Sequence, residues 1–471
     1  MATKRDLVEA HAFSRRRLVT AFVSGAPGGR EVEPARPGRA LVGGLALSVL
    51  LVAGALIAGI FSPRVAADWQ DPGLVVSKEK GAAYVITEAG DPVVLHPVVN
   101  NTSALLIAGD AAREPKLVPQ QVIDEQVVGG DLGIVGAPST VPSAALLLAS
   151  GWTACTSDGT GVRLTIAARP EVTPEPRGAL VVRDAVSGSL YLIAQAAATD
   201  AGPSSARSYA LPGQGAARDK MLSTLGLPVG AEATEVSPQW LALVPPGGPL
   251  TWDSAKVPDA GARVDYEGDV YDGARVGDLV QAPGQDFVLL AGGPAPIDPF
   301  AAAVYANLPP PHTPRVRSMS TLPNHRYLVP PFGAARWPEG AVEPVAGESC
   351  VQLTAAADTP PVASLVGEPG AAASSVAVPA GRRAVSVDPG RGALVESGDW
   401  TRTASETRFL VDGKGTAYPL EGSDTSALLG YADYAPPLVP DTWLALLERG
   451  VVLSQEAALC PPDPTGGSTC E

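Results

Sequence analysis

The sequence predicts a protein of the α+β class. It would have an N-terminal amphipathic helix, one transmembrane helix, and an extended region of four small α/β repeats around a central β-rich domain. Three observations lead to this prediction: an uncharged stretch at residues 40–63, a hairpin-and-helix pattern that recurs along the rest of the chain, and abundant glycine and proline. The chain has 471 residues, including 51 glycines and 47 prolines, which favour short strands and turns over long helices. A chain of this length is expected to fold as several domains.

The charge composition excludes some classes of protein. With 34 basic and 49 acidic side chains the net charge is -15, which argues against a nucleic-acid-binding protein. The 45% content of apolar residues argues against wholesale disorder. The charge is also unevenly distributed, because residues 1–39 carry a net +4 and the remainder carries -19.

Residues 40–63 predict a single membrane span. These 24 residues contain no charge, and as a helix they would extend about 34 Å, enough for a hydrocarbon core of about 30 Å. The excess of Arg and Lys before them predicts a cytoplasmic N-terminus. A cleaved signal peptide is the alternative, since Val65-Ala66-Ala67 could serve as a cleavage site, but the preceding segments are longer than in such peptides. We therefore predict an uncleaved anchor.

Small residues in the span suggest a face on which another helix could pack. Gly44, Ser48, Ala55 and Gly59 fall on one side of a helix, where small side chains permit close approach. The alternative is that the pattern only reflects how common glycine is in membrane helices, without any helix packing on this face.

The first 25 residues predict a basic amphipathic helix. Thr3 with Asp6 three residues later forms a helix-start pattern, and Gly25 can end the helix. An apolar stripe consists of Leu7, Val8, Leu18 and Phe22, and a basic run consists of Arg15, Arg16 and Arg17. A helix this short has no core of its own, so we expect the stripe to be buried on lipid headgroups or on a partner protein.

A repeated pattern organises the residues after the span. The string Trp-Leu-Ala-Leu occurs at Trp240 and again at Trp443, and each copy is preceded by Leu-Gly, at Leu225-Gly226 and Leu429-Gly430. Each copy begins with strand-like runs, and a further, degenerate copy begins at residues 286–290. We expect both tryptophans to lie in the core of their repeats, in preference to an exposed ligand platform. Four small units favour an extended scaffold over one catalytic cleft.

These patterns predict a domain order along the chain. In sequence it reads: amphipathic helix 1–25, linker 26–39, transmembrane helix 40–63, first repeat 73–135, N-terminal segment of the central domain 136–177, second repeat 178–255, degenerate third repeat 256–340, C-terminal segment of the central domain 341–383, fourth repeat 384–457, and tail 458–471.

All four cysteines follow the span, in a compartment that would be oxidising. The simplest pairing joins Cys155 to Cys350 and makes Cys460–Cys470 a local clip in the tail, although four cysteines allow three pairings. A bond between Cys155 and Cys350 would join the two inter-repeat segments into one central domain. A metal site is disfavoured, because there is no Cys-x-x-Cys and there are only four histidines.

A search for catalytic motifs predicts no enzyme and no cofactor. None of the seven lysines is followed by Ser or Thr, so no Walker A motif exists. Neither His-Glu-x-x-His nor Gly-x-Ser-x-Gly occurs.

Several segments together resemble EccB, a core membrane component of actinobacterial type VII (ESX) secretion systems. They are the stretches 11–18, 95–109, 133–138, 152–155 and 418–447. The resemblance covers nearly the whole chain, and it departs from the family in a shorter, more proline-rich linker and in the Cys460/Cys470 tail. It implies a periplasmic region of four repeats around a central domain closed by a disulfide, which matches Cys155 and Cys350.

By this resemblance the chain is a single-pass inner-membrane protein with its C-terminal region in the periplasm. It would assemble with the EccC motor ATPase, with the EccD and EccE membrane subunits, and with copies of itself through the periplasmic domains. Our leading hypothesis is therefore a structural subunit of an export complex. The alternatives are an ATPase subunit with an unrecognised nucleotide site, and a cell-wall-binding repeat protein.

Overall fold

The computed structural model of the protein describes residues 3–24, 37–61, 65–157, 159–198, 202–212, 215–251, 257–307, 314–323, 336–367, 377–401 and 404–469. The chain divides into two compact units, Met1–Val65 and Ala66–Glu471. The α+β class is confirmed, and it takes the form of several small mixed sheets with short helices.

The first unit contains two helices, α1 (Lys4–Ser24) and α2 (Pro37–Phe61). Hydrogen bonds at Thr3 start α1: its hydroxyl donates to the Asp6 carboxylate at 2.7 Å, and its backbone N–H donates to the same group at 3.0 Å. Both bonds stabilise the charged carboxylate, so they lower the pKa of Asp6. Of the predicted linker 26–39, residues 26–36 lie outside the described residues.

The bounds of α2 differ slightly from the uncharged stretch at residues 40–63. The described helix runs from Pro37 to Phe61, and residues 25–36 and 62–64 on either side of it lie outside the described residues. Within the described part of the chain, no helix is both long and apolar enough to span a membrane. Gly44 and Ser48 lie exposed on α2, whereas the side-chain surroundings of positions 55 and 59 fall outside the described residues.

The second unit begins with a five-stranded sheet, here called the first small sheet. Its elements are β1 (Gly73–Ser77), β2 (Ala83–Ile86), β3 (Val94–Pro97), α3 (Asn101–Ala108), β4 (Lys116–Val118), α4 (Gln120–Asp124) and β5 (Val127–Val128). The strand order is β4-β1-β2-β3-β5.

The remaining elements continue in chain order. First come β6 (Trp152–Ser157), β7 (Gly161–Ile166) and β8 (Thr173–Pro174). The second small sheet is built from β9 (Gly178–Asp184), β10 (Leu190–Ala196), β11 (Ser205–Ala210), α5 (Ala216–Thr224), β12 (Thr234–Val236) and α6 (Pro238–Leu241). The third comprises β13 (Leu279–Ala282), β14 (Gln285–Leu290), β15 (Gly293–Ile297), α7 (Pro299–Asn307) and β16 (Val316–Ser318).

Four strands follow the third sheet: β17 (Glu343–Pro344), β18 (Cys350–Thr354), β19 (Val362–Gly367) and β20 (Arg383–Val387). The fourth small sheet comprises β21 (Ala393–Gly398), β22 (Ala404–Val411), β23 (Thr416–Leu420), α8 (Thr425–Leu428), β24 (Leu438–Pro440), α9 (Asp441–Leu444) and β25 (Glu448–Arg449). The helix α10 (Gln455–Ala458) follows it.

The four small sheets share one connectivity. In each, the first three strands form an antiparallel meander, a helix follows, and a fourth strand returns to pair in parallel with the first. A parallel return requires a crossover connection, and the helix after the third strand lies within it. The residue limits of the individual repeats and of the central domain stay predictions.

A separate six-stranded sheet, here called the central sheet, combines two distant regions of the chain. Its order is β20-β7-β6-β18-β19-β8. In this sheet β20 pairs in parallel with β7 along Arg383–Val387. A strand pattern does not reveal which distant strand will pair with it, so this pairing was not readable from local sequence.

Shared hydrophobic clusters pack the sheets in pairs. One cluster joins the first and fourth sheets, with Leu106 of α3 and Leu429 after α8 as members. Another joins the second and third sheets and includes Leu222 of α5 and Val304 of α7. The largest cluster is formed by the central, second and fourth sheets together. Within the second unit, therefore, each small sheet buries its apolar face against a neighbour.

The repeated Leu-Gly pairs end helices α5 and α8 in the same way. Gly226 has φ +72° and Gly430 has φ +91°, both in the left-handed region. The N–H of Gly430 donates to Ala427 and that of Tyr431 to Ser426, and the corresponding bonds after α5 run from Gly226 to Ser223 and from Leu227 to Leu222. This paired pattern is a Schellman motif, which favours glycine at the left-handed position.

The two glycines provide a matched pair of test sites. A Cβ added at Gly226 meets nothing within 4 Å, whereas one at Gly430 collides with the Arg113 guanidinium. We expect Gly226→Ala to lower the free energy of unfolding by about 1 kcal/mol, from backbone strain alone. Gly430→Ala should cost the same strain and little more, because the end of the flexible Arg113 side chain can shift. Urea unfolding of the full chain measures both, and an unchanged urea midpoint in either variant would refute the strain expected at that position.

Candidate functional site

A disulfide between Cys155 and Cys350 closes the central sheet. The two residues face each other in the antiparallel pairing of β6 with β18, and their Cα atoms are 4.1 Å apart. The bond spans 195 residues and is buried beside Val366. Of the three pairings that the sequence allowed, the structure contains the one that joins the two segments between repeats.

The C-terminal tail pairs with the segment that follows the first small sheet. The carbonyl of Cys460, two residues after the end of α10, accepts a bond from the Gly133 N–H at 3.1 Å. Further along, Val135 and Gly467 exchange two backbone bonds, of 2.9 and 2.8 Å. Cys470 lies outside the described residues, so the Cys460–Cys470 pairing stays a prediction.

Trp240 attaches the second small sheet to the central sheet. Ser237 caps α6 by accepting the Trp240 N–H at 3.2 Å, and Pro238 occupies the first turn. This short helix directs the indole inward, where the ring is fully buried. The indole N–H donates to the carbonyl of Ala154 at 3.2 Å, and Ala154 is the residue before the disulfide.

Trp443, at the equivalent place in the fourth repeat, makes a different bond. It too is fully buried, and its indole N–H donates to the carbonyl of Leu243 at 3.1 Å. Leu243 ends the Trp-Leu-Ala-Leu string of the second repeat, so the two strings contact each other. One bond therefore joins Trp443 of the fourth repeat to the second repeat. The other joins Trp240 of the second repeat to strand β6 of the central sheet. Neither ring is exposed to act as a ligand platform.

We call this arrangement the tryptophan junction, meaning the two Trp-Leu-Ala-Leu segments together with β6. A third tryptophan, Trp152 on β6, is also fully buried in the same cluster, although the repeat pattern did not point to it. Fixed donors and acceptors between sheets restrict their relative motion, since breaking either bond would leave a buried indole N–H without its acceptor. The junction holds three sheets together and presents no reactive group.

The fourth sheet and the β18–β19 loop line a cleft of about 450 Å³. Arg408 and Glu396 are on its wall, paired across neighbouring strands at 3.2 Å. Tyr431 also lines it, and its hydroxyl donates to the Pro142 carbonyl at 2.6 Å. Burial raises the pKa of Tyr431, and the nearby Arg113 partly opposes that shift. In the described regions of the chain, no group of three or more His, Cys, Asp or Glu residues is placed to hold a metal.

The predicted interaction residues of α1 are all solvent-exposed. Among the apolar ones, Leu7 is 65% exposed and Phe22 is 92% exposed. Val8 and Leu18 are exposed on the same helix, as are Arg15, Arg16 and Arg17. An exposed stripe of large apolar side chains next to a basic run is typical of a surface that binds a partner or a membrane.

Together these features define a scaffold protein in which small related sheets are joined by buried contacts and a disulfide, and which carries an N-terminal helical unit. The chain belongs to the EccB family: the family model described as type VII secretion system ESX-1, transport TM domain B, matches residues 1–465.

Solved structures with the same fold are described as parts of ESX complexes, and one of them is described as an EccB dimer. One, an intact ESX-5 inner membrane complex, has a chain with 23% identity and a TM-score of 0.57, and the match covers 98% of this chain and 96% of that one. The periplasmic assembly of the ESX-5 inner membrane complex has a chain with 22% identity and a TM-score of 0.54, covering 83% and 94%. The EccB3 dimer of the ESX-3 core complex gives 23% identity and a TM-score of 0.58, covering 82% and 99%. No curated protein matches in a sequence comparison.

Proposed function

We propose that this protein is a structural subunit of a type VII secretion inner-membrane complex. In this role it anchors a periplasmic scaffold, contacts the EccC motor ATPase and the EccD and EccE membrane subunits, and supports protein export. The observation that carries the proposal is the family match over residues 1–465. A structure of similar fold is described as belonging to an ESX-5 inner membrane complex, which agrees with this assignment.

The proposed mechanism is mechanical and involves no catalysis. The tryptophan junction, the shared clusters and the Cys155–Cys350 bond make the second unit a body that can transmit force and hold partners at fixed positions. Self-association through this unit is supported by the description of the EccB3 structure as a dimer. The absence of Walker A and other catalytic motifs from the sequence supports a non-enzymatic role.

In our proposal α2 and its flanking residues cross the inner membrane, with α1 in the cytoplasm and the second unit in the periplasm. The uncharged stretch at 40–63 and the basic excess before it support this orientation. The disulfide supports an oxidising compartment for the second unit, because such bonds are rare in the cytosol. Exposed Leu7, Leu18 and Phe22 on α1 would then meet a cytoplasmic partner such as the motor.

Two valines of nearly equal exposure allow this orientation to be tested. Val23 of α1 is 82% exposed and Val186 of the second unit is 81% exposed. We expect a membrane-impermeant maleimide applied to spheroplasts to label the Val186→Cys variant and to leave Val23→Cys unlabelled until the membrane is opened. The unsubstituted chain provides the blank. Labelling of Val23→Cys in sealed spheroplasts would reject the proposed topology.

A further inference from the structure

Two arginines lie close together beside the outer strand of the second small sheet. Arg207 is on β11, and Arg336 precedes the buried Trp337. The backbone carbonyl of Arg336 accepts the Tyr209 hydroxyl at 2.5 Å, while its own Nη2 donates to the carbonyl of Pro203 at 2.6 Å. Tyr209 and Pro203 are on either side of Arg207 in the chain, so the Arg336 side chain extends past Arg207. The pKa of Arg207 is lowered mainly by burial, and the positive charge of Arg336 lowers it further.

Neither guanidinium has an acidic partner among the described residues. Within that same set, Arg207 donates through Nη1 to the carbonyl of Pro246 at 2.8 Å, and Arg336 donates to Pro203. Arg177 and Arg218, by contrast, pair with Glu343 at 2.7 Å and with Asp219 at 2.8 Å. The residues after position 39 carry a net charge of -19, so carboxylates are abundant in this region of the chain. Arg207 and Arg336 are nevertheless adjacent arginines without a carboxylate partner among the described residues.

The arrangement costs free energy, and an external anion would offset the part that comes from charge repulsion. The Nε atoms of both arginines are shielded from solvent and have no acceptor among the described residues, which is unfavourable for a buried donor. Arg336 also has φ +50°, a left-handed conformation that is strained for a residue with a side chain. Two like charges held together repel each other, and that repulsion would be reversed by a negative group between them.

We propose that Arg207 and Arg336 form a binding site for a phosphate group. Two guanidiniums supply two positive charges and several N–H donors, which suits a tetrahedral oxyanion of high charge. A single carboxylate would neutralise only one of the two positive charges. The phosphate is either free in solution or carried by the headgroup of an anionic lipid, since both offer the same oxygen atoms.

The test is calorimetric titration of the full chain in detergent with inorganic phosphate, against chloride at equal ionic strength. We expect saturable binding of phosphate and a rise in the unfolding temperature that chloride does not produce. Arg207→Gln and Arg336→Gln should each weaken phosphate binding about tenfold or more, because each removes a charge-assisted hydrogen bond. Arg177→Gln is the matched control and should leave binding unchanged.

Arg207→Lys keeps the charge, so it should retain a fraction of the phosphate binding even if the glutamine variants fold poorly. Repeating the titration in nanodiscs identifies the source of the phosphate. Weaker apparent binding in discs that contain phosphatidylglycerol than in discs of phosphatidylcholine alone indicates a lipid headgroup, and equal binding indicates a soluble phosphate. The site is disproved if the wild-type chain binds phosphate no better than chloride, or if Arg207→Gln binds it as tightly as the wild type.

Discussion

Trp443→Ala is expected to lower the free energy of unfolding by about 3–5 kcal/mol, the usual range for removing a fully buried aromatic side chain. The indole is fully buried in the cluster that joins three sheets, so its loss leaves a cavity at their common boundary. It also removes the hydrogen bond that joins the two Trp-Leu-Ala-Leu segments, from the indole N–H to Leu243. Since small domains are stable by only about 5–15 kcal/mol, this loss should lower the yield of folded protein.

Two further variants separate the contributions of the Trp443 side chain. Trp443→Phe keeps most of the packing but leaves the Leu243 carbonyl without a donor, so about 1–3 kcal/mol should be lost. Trp400→Ala is the control, because Trp400 is only partly buried against the same cluster. The effect of all three variants is measured as the change in the urea midpoint of the full chain. If Trp443→Ala unfolds at the same midpoint as Trp400→Ala, the tryptophan junction does not stabilise the unit.

Cys155→Ser is expected to lower the free energy of unfolding by about 2–5 kcal/mol. The bond to Cys350 closes a loop of 195 residues, for which the chain-entropy model gives about 5 kcal/mol as an upper limit. The serine hydroxyl would in addition occupy a buried position between β6 and β18. Both effects act on the central sheet, so we expect the second unit as a whole to be affected.

Thiol counting verifies the disulfide independently of stability. In denaturant without a reductant, Cys155→Ser should expose one more reactive thiol than the unsubstituted chain, because Cys350 loses its partner. The thiol should react slowly in the native protein, where Cys350 is fully buried. A thiol count one lower in Cys155→Ser than in the unsubstituted chain would show that Cys155 is not bonded, because the substitution would then only remove a free thiol.

Local signals in the sequence predicted much of the secondary structure. The uncharged stretch anticipated a helix at α2, and Thr3 with Asp6 anticipated the start of α1. Residues 412–415 have the sequence Asp-Gly-Lys-Gly, which is typical of a hairpin turn, and they join β22 to β23, with the Asp412 carboxylate accepting the N–H groups of Lys414 and Thr416 at 2.9 and 3.0 Å. Such features depend on residues within a few positions of each other, so the sequence displays them directly.

Apart from the Cys155–Cys350 bond, contacts between distant segments could not be predicted in this way. The repeat pattern indicated that Trp240 and Trp443 were equivalent, yet one bonds to Ala154 and the other to Leu243. The contact of Arg113 with Gly430 and the pairing of β20 with β7 had no sequence signal either. Equivalent residues in repeats acquire different partners because each sheet packs against a different neighbour, and that choice is made over the whole chain.

The central claim, that this chain is a structural subunit of an export complex, is tested most directly by affinity purification. The tagged full chain should be extracted in mild detergent and its partners identified by mass spectrometry. We predict that the motor ATPase and the multi-span membrane subunit are recovered with it, together with untagged copies of the same chain. Recovery of the chain alone, under conditions in which other membrane complexes stay intact, would contradict the account.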